Sequence, residues 1–235
     1  GQTLEILRKD LEEVVRFRPS HVSPYCLTVP EGHALSKGSP LEDTQLEMFE
    51  MIRQTLVGEG YQRYEISNFA LPGSESRHNS LYWDDDAYWG LGLSAHSYMP
   101  ESGGPYGSRF WNPNSIGAYQ KLIEGSQNEV DSPLGNLASE QYEVLLAHQA
   151  LTDFCHTSLR RKSGLDMQAV EKKFGKAGLR LVKGPLLELL ERKWLESSKL
   201  GVFSLTEQGL LVSNQVFSNL TFLNEEWEKA SSPSP

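Results

Sequence analysis

The sequence predicts an α/β fold followed by a small α+β domain of winged-helix character. Three observations carry this expectation. Helix-periodic and strand-like segments alternate through residues 3–99, the rhythm of a parallel α/β unit. A stretch rich in Gly, Asn, Asp, Ser and Pro, residues 125–136, then interrupts the pattern. Beyond it, helical segments surround a short two-stranded pattern. The expected division is residues 1–125, a linker over 126–138, a second domain over 139–225 and a disordered tail over 226–235.

The elements are expected in this order. Residues 3–18 place Leu4, Leu7, Leu11, Val14 and Val15 at helical spacing, and Pro19 stops the helix. His21–Val29 is strand-like and closes at Pro30-Glu31-Gly32. Leu41–Glu59 is a second helix, with Leu46, Phe49, Ile52 and Leu56 on one face. Tyr61–Ala70 and Tyr88–Met99 are expected as strands. A short strand spans YGSRFWN, and a helix follows over Ser115–Glu124 with Ser115 as its N-cap. The C-terminal part predicts helices over 139–152, 164–174 and 177–195, a two-stranded wing in LESSKLGVFSLT, and a helix over 206–219.

Charge narrows the function classes. Residues 1–138 hold 10 basic against 19 acidic residues, while residues 139–235 hold 12 of each. The net charge of −9 therefore sits in the first part, and a nucleic-acid footprint is disfavoured. Lys172, Lys173, Lys176, Arg180 and Lys183 cluster, but acidic residues balance them. Residues 206–219, where a recognition helix would fall, contain neither Lys nor Arg. No run of about 18 apolar residues exists, so no transmembrane helix is expected. The chain begins at Gly1 with no signal or transit segment ahead of its first helical pattern, so a piece of a longer protein or a processed start is expected.

The two cysteines, Cys26 and Cys155, have no CxxC or CxxxCxxC spacing, so this chain alone is not expected to ligate an iron–sulfur cluster or a structural zinc. Both lie in apolar surroundings and are expected as buried structural thiols.

Residues 77–97, RHNSLYWDDDAYWGLGLSAHS, are the densest in chemistry. His78 follows a Pro-Gly break and is expected on a loop at a strand end, the edge where α/β sheets bind ligands. An exposed imidazole can ligate iron axially and flanking aromatic rings can face a porphyrin. Equally, His78 and Asn79 can serve only to hydrogen-bond a turn. Asp84-Asp85-Asp86 reads as a solvated turn rather than a metal site, because consecutive residues do not point one way. His96, inside an apolar run, is expected as a core histidine. His33 lies in the loop PEGHAL. Gly90-Leu91-Gly92 is a faint phosphate-loop echo and fits equally a close backbone approach.

These residues carry a family resemblance. GQTLE at 1–5, YEISNFALPG at 64–73, SRHNSLYW at 76–83, YWGLGLSAHS at 88–97 and RFWNP at 109–113 resemble the C-terminal half of HemW-type heme chaperones. That family is related to oxygen-independent coproporphyrinogen III oxidases of the radical-SAM class, and the similarity extends to its animal mitochondrial branch. The resemblance runs from residue 1 to about 125 and continues more loosely through the winged-helix region. It implies the C-terminal part of a partial (β/α) barrel, and a [4Fe–4S] cluster held by a CxxxCxxC loop that this chain lacks. It assigns S-adenosylmethionine contacts to Gln2, Ala70, Gly90 and Gly92. Ser94, Ala95 and Ser97 line the same cavity by resemblance. The family's heme-linked HNxxY reads here as His78-Asn79-Ser80-Leu81-Tyr82, and His78, Asn79 and Tyr82 are the expected heme contacts, with His78 on the iron. The oxidases order their His, Arg and Asn differently there. Two departures, Cys26 and His33, stand where the family more often has a polar residue and Thr.

The expected function is heme binding and delivery to an acceptor apoprotein, in a mitochondrial setting by resemblance. Radical-SAM oxidation of a porphyrinogen is the alternative. Radical chemistry by this chain alone is not expected, and a winged-helix nucleic-acid binder is the third, weaker reading.

Overall fold

A computed structural model of the chain describes residues 1–27, 29, 32–33, 40–100, 104–125, 141–198 and 200–232. Contacts divide it into two units: Gly1–Arg77 with Arg160–Lys162, and His78–Leu159 with Ser163–Pro235.

In the first unit, helix α1 (Leu4–Phe17) begins where the Thr3 hydroxyl accepts the Ile6 N–H at 3.3 Å. It ends with Arg18 in the left-handed region, its N–H returned to the Val14 carbonyl. The predicted face is the buried one. Leu7 and Leu11 pack with Met48 of helix α2 (Glu42–Gly58), and Leu4, Met51 and Ile52 flank them. Strands β1 (His21–Val22), β2 (Gln62–Arg63) and β3 (Phe69–Ala70) form a sheet of order β1-β3-β2 over a core of Leu56, Tyr61 and Phe69.

The expected single strand Tyr61–Ala70 is therefore a tight hairpin. The Glu65 carboxylate accepts the Ser67 N–H at 2.8 Å and the Asn68 amide at 2.5 Å, folding the chain back on itself. Arg160 lies 3.7 Å from the other Glu65 oxygen, which balances a carboxylate that is almost fully buried. The α/β character holds, but every strand pair in the described residues is antiparallel. For β2–β3 and β8–β9 the reason is local: a turn of a few residues cannot make the dozen-residue crossover that parallel neighbours require.

The second unit opens with helix α3 (Arg77–Trp83). Strands β4 (His96–Met99), β5 (Ser108–Trp111) and, after helix α4 (Ile116–Gly125), β6 (Tyr142–Val144) form the sheet β4-β5-β6. Ser115 caps α4 as expected, accepting the Ala118 N–H at 3.4 Å. The predicted strand Tyr88–Met99 shrinks to its last four residues, because glycines and a left-handed Ser94 leave residues 89–95 as a loop. Residues 108–111 and 142–144 share one sheet, which draws both sides of the expected linker into the same unit. Residues 126–140 themselves lie outside the described residues. The helix expected from 139 starts later, as α5 (Ala147–Arg160).

The winged region is present: β7 (Leu165–Asp166), helix α6 (Met167–Glu191), β8 (Leu195–Ser197) and β9 (Val202–Leu205), with the sheet order β7-β9-β8. Gly175 adopts φ 62°, ψ −160° and breaks α6 where two separate helices were expected. Helices α7 (Glu207–Leu211) and α8 (Ser213–Asn219) divide at Val212. Leu151, Leu165, Val170, Val182, Leu189, Val216 and Leu220 are fully buried in this core.

The expected disordered tail is corrected over most of its described length. Helix α9 (Asn224–Ser231) forms there, its start fixed by the Leu223 N–H donating to Glu226 at 2.7 Å. Trp227 anchors it against Tyr106 with ring centroids 6.3 Å apart. One half-buried indole supplies the apolar contact that the polar tail composition concealed.

Candidate functional site

His78 lies on α3, not on a strand-end loop. Its neighbour one turn on is Tyr82, whose hydroxyl stands 3.4 Å from His78 Nε2. The two rings meet edge to face at 5.0 Å. Tyr82 in turn packs on Tyr88 at 4.3 Å, and Tyr88 on Tyr98 at 6.1 Å.

The rings of His78, Tyr82 and Tyr88 border a cavity of about 440 Å³, a volume within the usual range for small-molecule sites. His78, Tyr82, Tyr88, Trp89, Leu91 and His96 line it, with backbone from Gly90 and Ala95. Trp89 and Leu91 are largely exposed, so the opening presents apolar surface to solvent. A second cavity of about 340 Å³ shares Tyr82, Tyr88 and His96 and includes Arg109 and Asp153, which form an ion pair. Burial pushes the Tyr88 hydroxyl above its usual pKa, an effect that the Arg109 charge opposes.

The loop forming one wall is built by groups that sequence reading did not single out. The Asn112 side-chain amide donates to the carbonyls of both Gly90 and Gly92, at 3.0 and 2.8 Å. Ser97 Oγ accepts the Gly90 N–H at 2.9 Å, and the Tyr119 hydroxyl accepts the Gly92 N–H at 3.2 Å. A side chain at Gly90 would meet the His96 carbonyl oxygen at 2.3 Å, and Gly92 has φ +98°. Close backbone approach thus accounts for Gly90, and the positive φ accounts for Gly92. The signal for Asn112 lay in the RFWNP motif, but only the fold shows that it clamps a loop about twenty residues earlier.

His78, Tyr82 and Gly90 border one cavity. Asn79 is next to His78 on α3, and Gly92 is in the clamped loop. Gln2 and Ala70 belong to the first unit. Gln2 donates to Asp10 at 2.7 Å, and Ala70 is fully buried between β1 and β2. His96 is corrected: it is exposed at the start of β4, where its ring stacks on Trp111 across the strand pair. Cys26 is also corrected: it is exposed, with Sγ 2.9 Å from Gln45 Oε1, because the strand expected around it ends at Val22. Cys155 is buried as expected. Asp85 is a turn residue with φ 60°, and its carboxylate accepts the Tyr98 hydroxyl at 2.8 Å and pairs with Lys173. Burial and that carboxylate push the Tyr98 hydroxyl well above its usual pKa.

No helix of the described residues is long and apolar enough to cross a membrane. No protein-family model matches the chain. Among solved structures, coproporphyrinogen III oxidase (HemN) from Escherichia coli, a radical SAM enzyme, superposes with a TM-score of 0.68 at 16% identity. The match covers 94% of this chain and 52% of that one. The fold is therefore shared with that enzyme over the matched span. Among curated proteins, the heme chaperone HemW of Lactococcus lactis is 31% identical over 225 residues, 92% of this chain and 54% of that protein. HemW of Bacillus subtilis is 30% identical over 232 residues, 96% and 56% respectively. The mitochondrial radical S-adenosyl methionine domain-containing protein 1 of Danio rerio is 32% identical over 112 residues, 44% of this chain and 25% of that protein. The chain belongs to the HemW-type radical-SAM family, and it spans just over half the length of the first two relatives.

Proposed function

We propose that this chain binds heme at the His78 cavity and serves in a heme chaperone that passes heme to an acceptor apoprotein. One observation carries the reading: the HNxxY histidine is exposed on α3 at a cavity walled by Tyr82, Tyr88 and Trp89. An imidazole can ligate the iron while aromatic faces receive the macrocycle. Asn79 and Tyr82 frame the ligand on the same helix. The HemW relatives are heme chaperones by name, and the Danio rerio relative is mitochondrial by name. The proposed setting is accordingly mitochondrial.

Gln2, Ala70, Gly90 and Gly92 are assigned to S-adenosylmethionine by resemblance to the family's motifs. A [4Fe–4S] cluster would require ligands other than Cys26 and Cys155. The charge distribution disfavours nucleic acid as a partner.

The test is a hemin titration of the full chain followed in the Soret region. His78→Ala is expected to weaken binding at least about tenfold, equivalent to about 1.4 kcal/mol. Unchanged affinity and band position in that variant would remove His78 from the iron.

A further inference from the structure

We infer that His96 is a second iron ligand in the same cavity, so that bound heme sits between two imidazoles. The inference rests on the heme reading of the His78 cavity. It starts from the placement of two histidines from different elements, α3 and β4, on the wall of a single cavity of about 440 Å³.

His96 is built unlike a structural histidine. His21 bonds Tyr64 at 2.8 Å, and His156 bonds the Phe217 carbonyl at 2.8 Å. The His96 ring nitrogens make no hydrogen bond among the described residues, and the residue is exposed despite its apolar sequence surroundings. A core histidine would hide its ring and satisfy its nitrogens. Here the nitrogens remain available while the ring itself is fixed.

One ring contact and two backbone relations position it. The ring stacks on Trp111 with centroids 5.6 Å apart and planes 28° apart. His96 and Trp111 face each other in the β4–β5 register. The Gly90 backbone presses so closely on residues 95–96 that no side chain fits at Gly90. An imidazole held by stacking and backbone, with unengaged nitrogens at an aromatic-walled opening, is preorganised to accept a metal. Iron in heme can take two axial ligands, so a second imidazole has a chemical use. A carboxylate partner is a competing role for His96, because heme carries propionates, and spin state separates the two.

The experiment uses the full chain loaded with hemin and read by absorption and electron paramagnetic resonance. Wild type is expected to show six-coordinate, low-spin iron with a two-imidazole signature. His96→Ala is expected to turn high-spin and bind about tenfold more weakly, and added free imidazole should restore the low-spin spectrum. A high-spin wild type overturns the inference without any variant. So does a His96→Ala protein that keeps both the low-spin spectrum and the affinity, or one that loses affinity alone, the signature of a propionate contact. In these cases the His78 reading stands. If wild type binds no hemin, both readings fall. Circular dichroism of His96→Ala and of the milder His96→Gln shows whether the fold is retained, and the wild-type spectrum decides the matter if neither variant folds.

Discussion

The hydroxyl of Tyr82 stands 3.4 Å from Nε2 of His78, one helical turn away on the same face of α3. The bond is long and exposed, so it contributes little, yet it occupies the nitrogen that would meet iron. Tyr82→Phe removes this competitor and keeps the ring that packs on Tyr88 at 4.3 Å. Chemical denaturation should shift by less than about 0.5 kcal/mol, the range for surface changes. Heme affinity should stay level or rise a few-fold. A tenfold loss would make the hydroxyl itself a heme partner.

Asn112 should govern the cavity without lining it. Its amide nitrogen has two carbonyls as partners, so the orientation of the side chain is fixed by chemistry. Asn112→Ala is expected to cost about 1–3 kcal/mol in urea unfolding and to weaken heme binding. Asn112→Asp should be worse than alanine, because a carboxylate would face two carbonyl oxygens.

The two helix and loop glycines, Gly117 and Gly90, should respond with opposite signs. At Gly90 an added methyl meets backbone, and Gly90→Ala should destabilise by about 1–3 kcal/mol. At Gly117 in α4 nothing lies within 4 Å, and Gly117→Ala should stabilise by about 0.5–1 kcal/mol. Thermal melts of the two variants check the contrast.

Glu50 on α2 links stability to acid pH. The Arg53 hydrogen bonds hold its carboxyl down to about 2 from the usual 4.5, with Gln54 adding a further donor. A depressed folded-state value means the contribution is fully present above pH 4.5 and is lost as pH falls through about 2. Glu50 is 43% exposed, so solvent screening limits the effect to less than about 1 kcal/mol. Arg53→Gln should flatten the stability profile in that window and leave it unchanged near pH 7 apart from a constant offset.

The thiols should separate in alkylation. Cys26 is exposed, whereas Cys155 is fully buried, and burial pushes its thiol far above the usual range. Iodoacetamide should modify one thiol in the native protein, mapped to Cys26 by mass spectrometry, and the second only after denaturant is added. Rapid double labelling of native protein would contradict this packing.

Sequence alone determined what depends on local pattern. The apolar spacing of Leu4, Leu7 and Leu11 gave a helix face, Ser115 gave a cap, and the wing strands lay where their periodicity placed them. The HNxxY order singled out His78 because a motif preserves chemistry even when its backbone setting is misjudged. Tertiary structure decided what depends on partners far along the chain. Tyr61–Ala70 became a hairpin once the Glu65 carboxylate turned back on its neighbours. The tail became α9 because Trp227 found Tyr106, some 120 residues earlier. His96 left the core for the cavity wall because Trp111, its partner in the neighbouring strand, supplies a stacking surface. Apolar context marks a residue for burial only when space and partners exist to bury it, and those are properties of the packed chain.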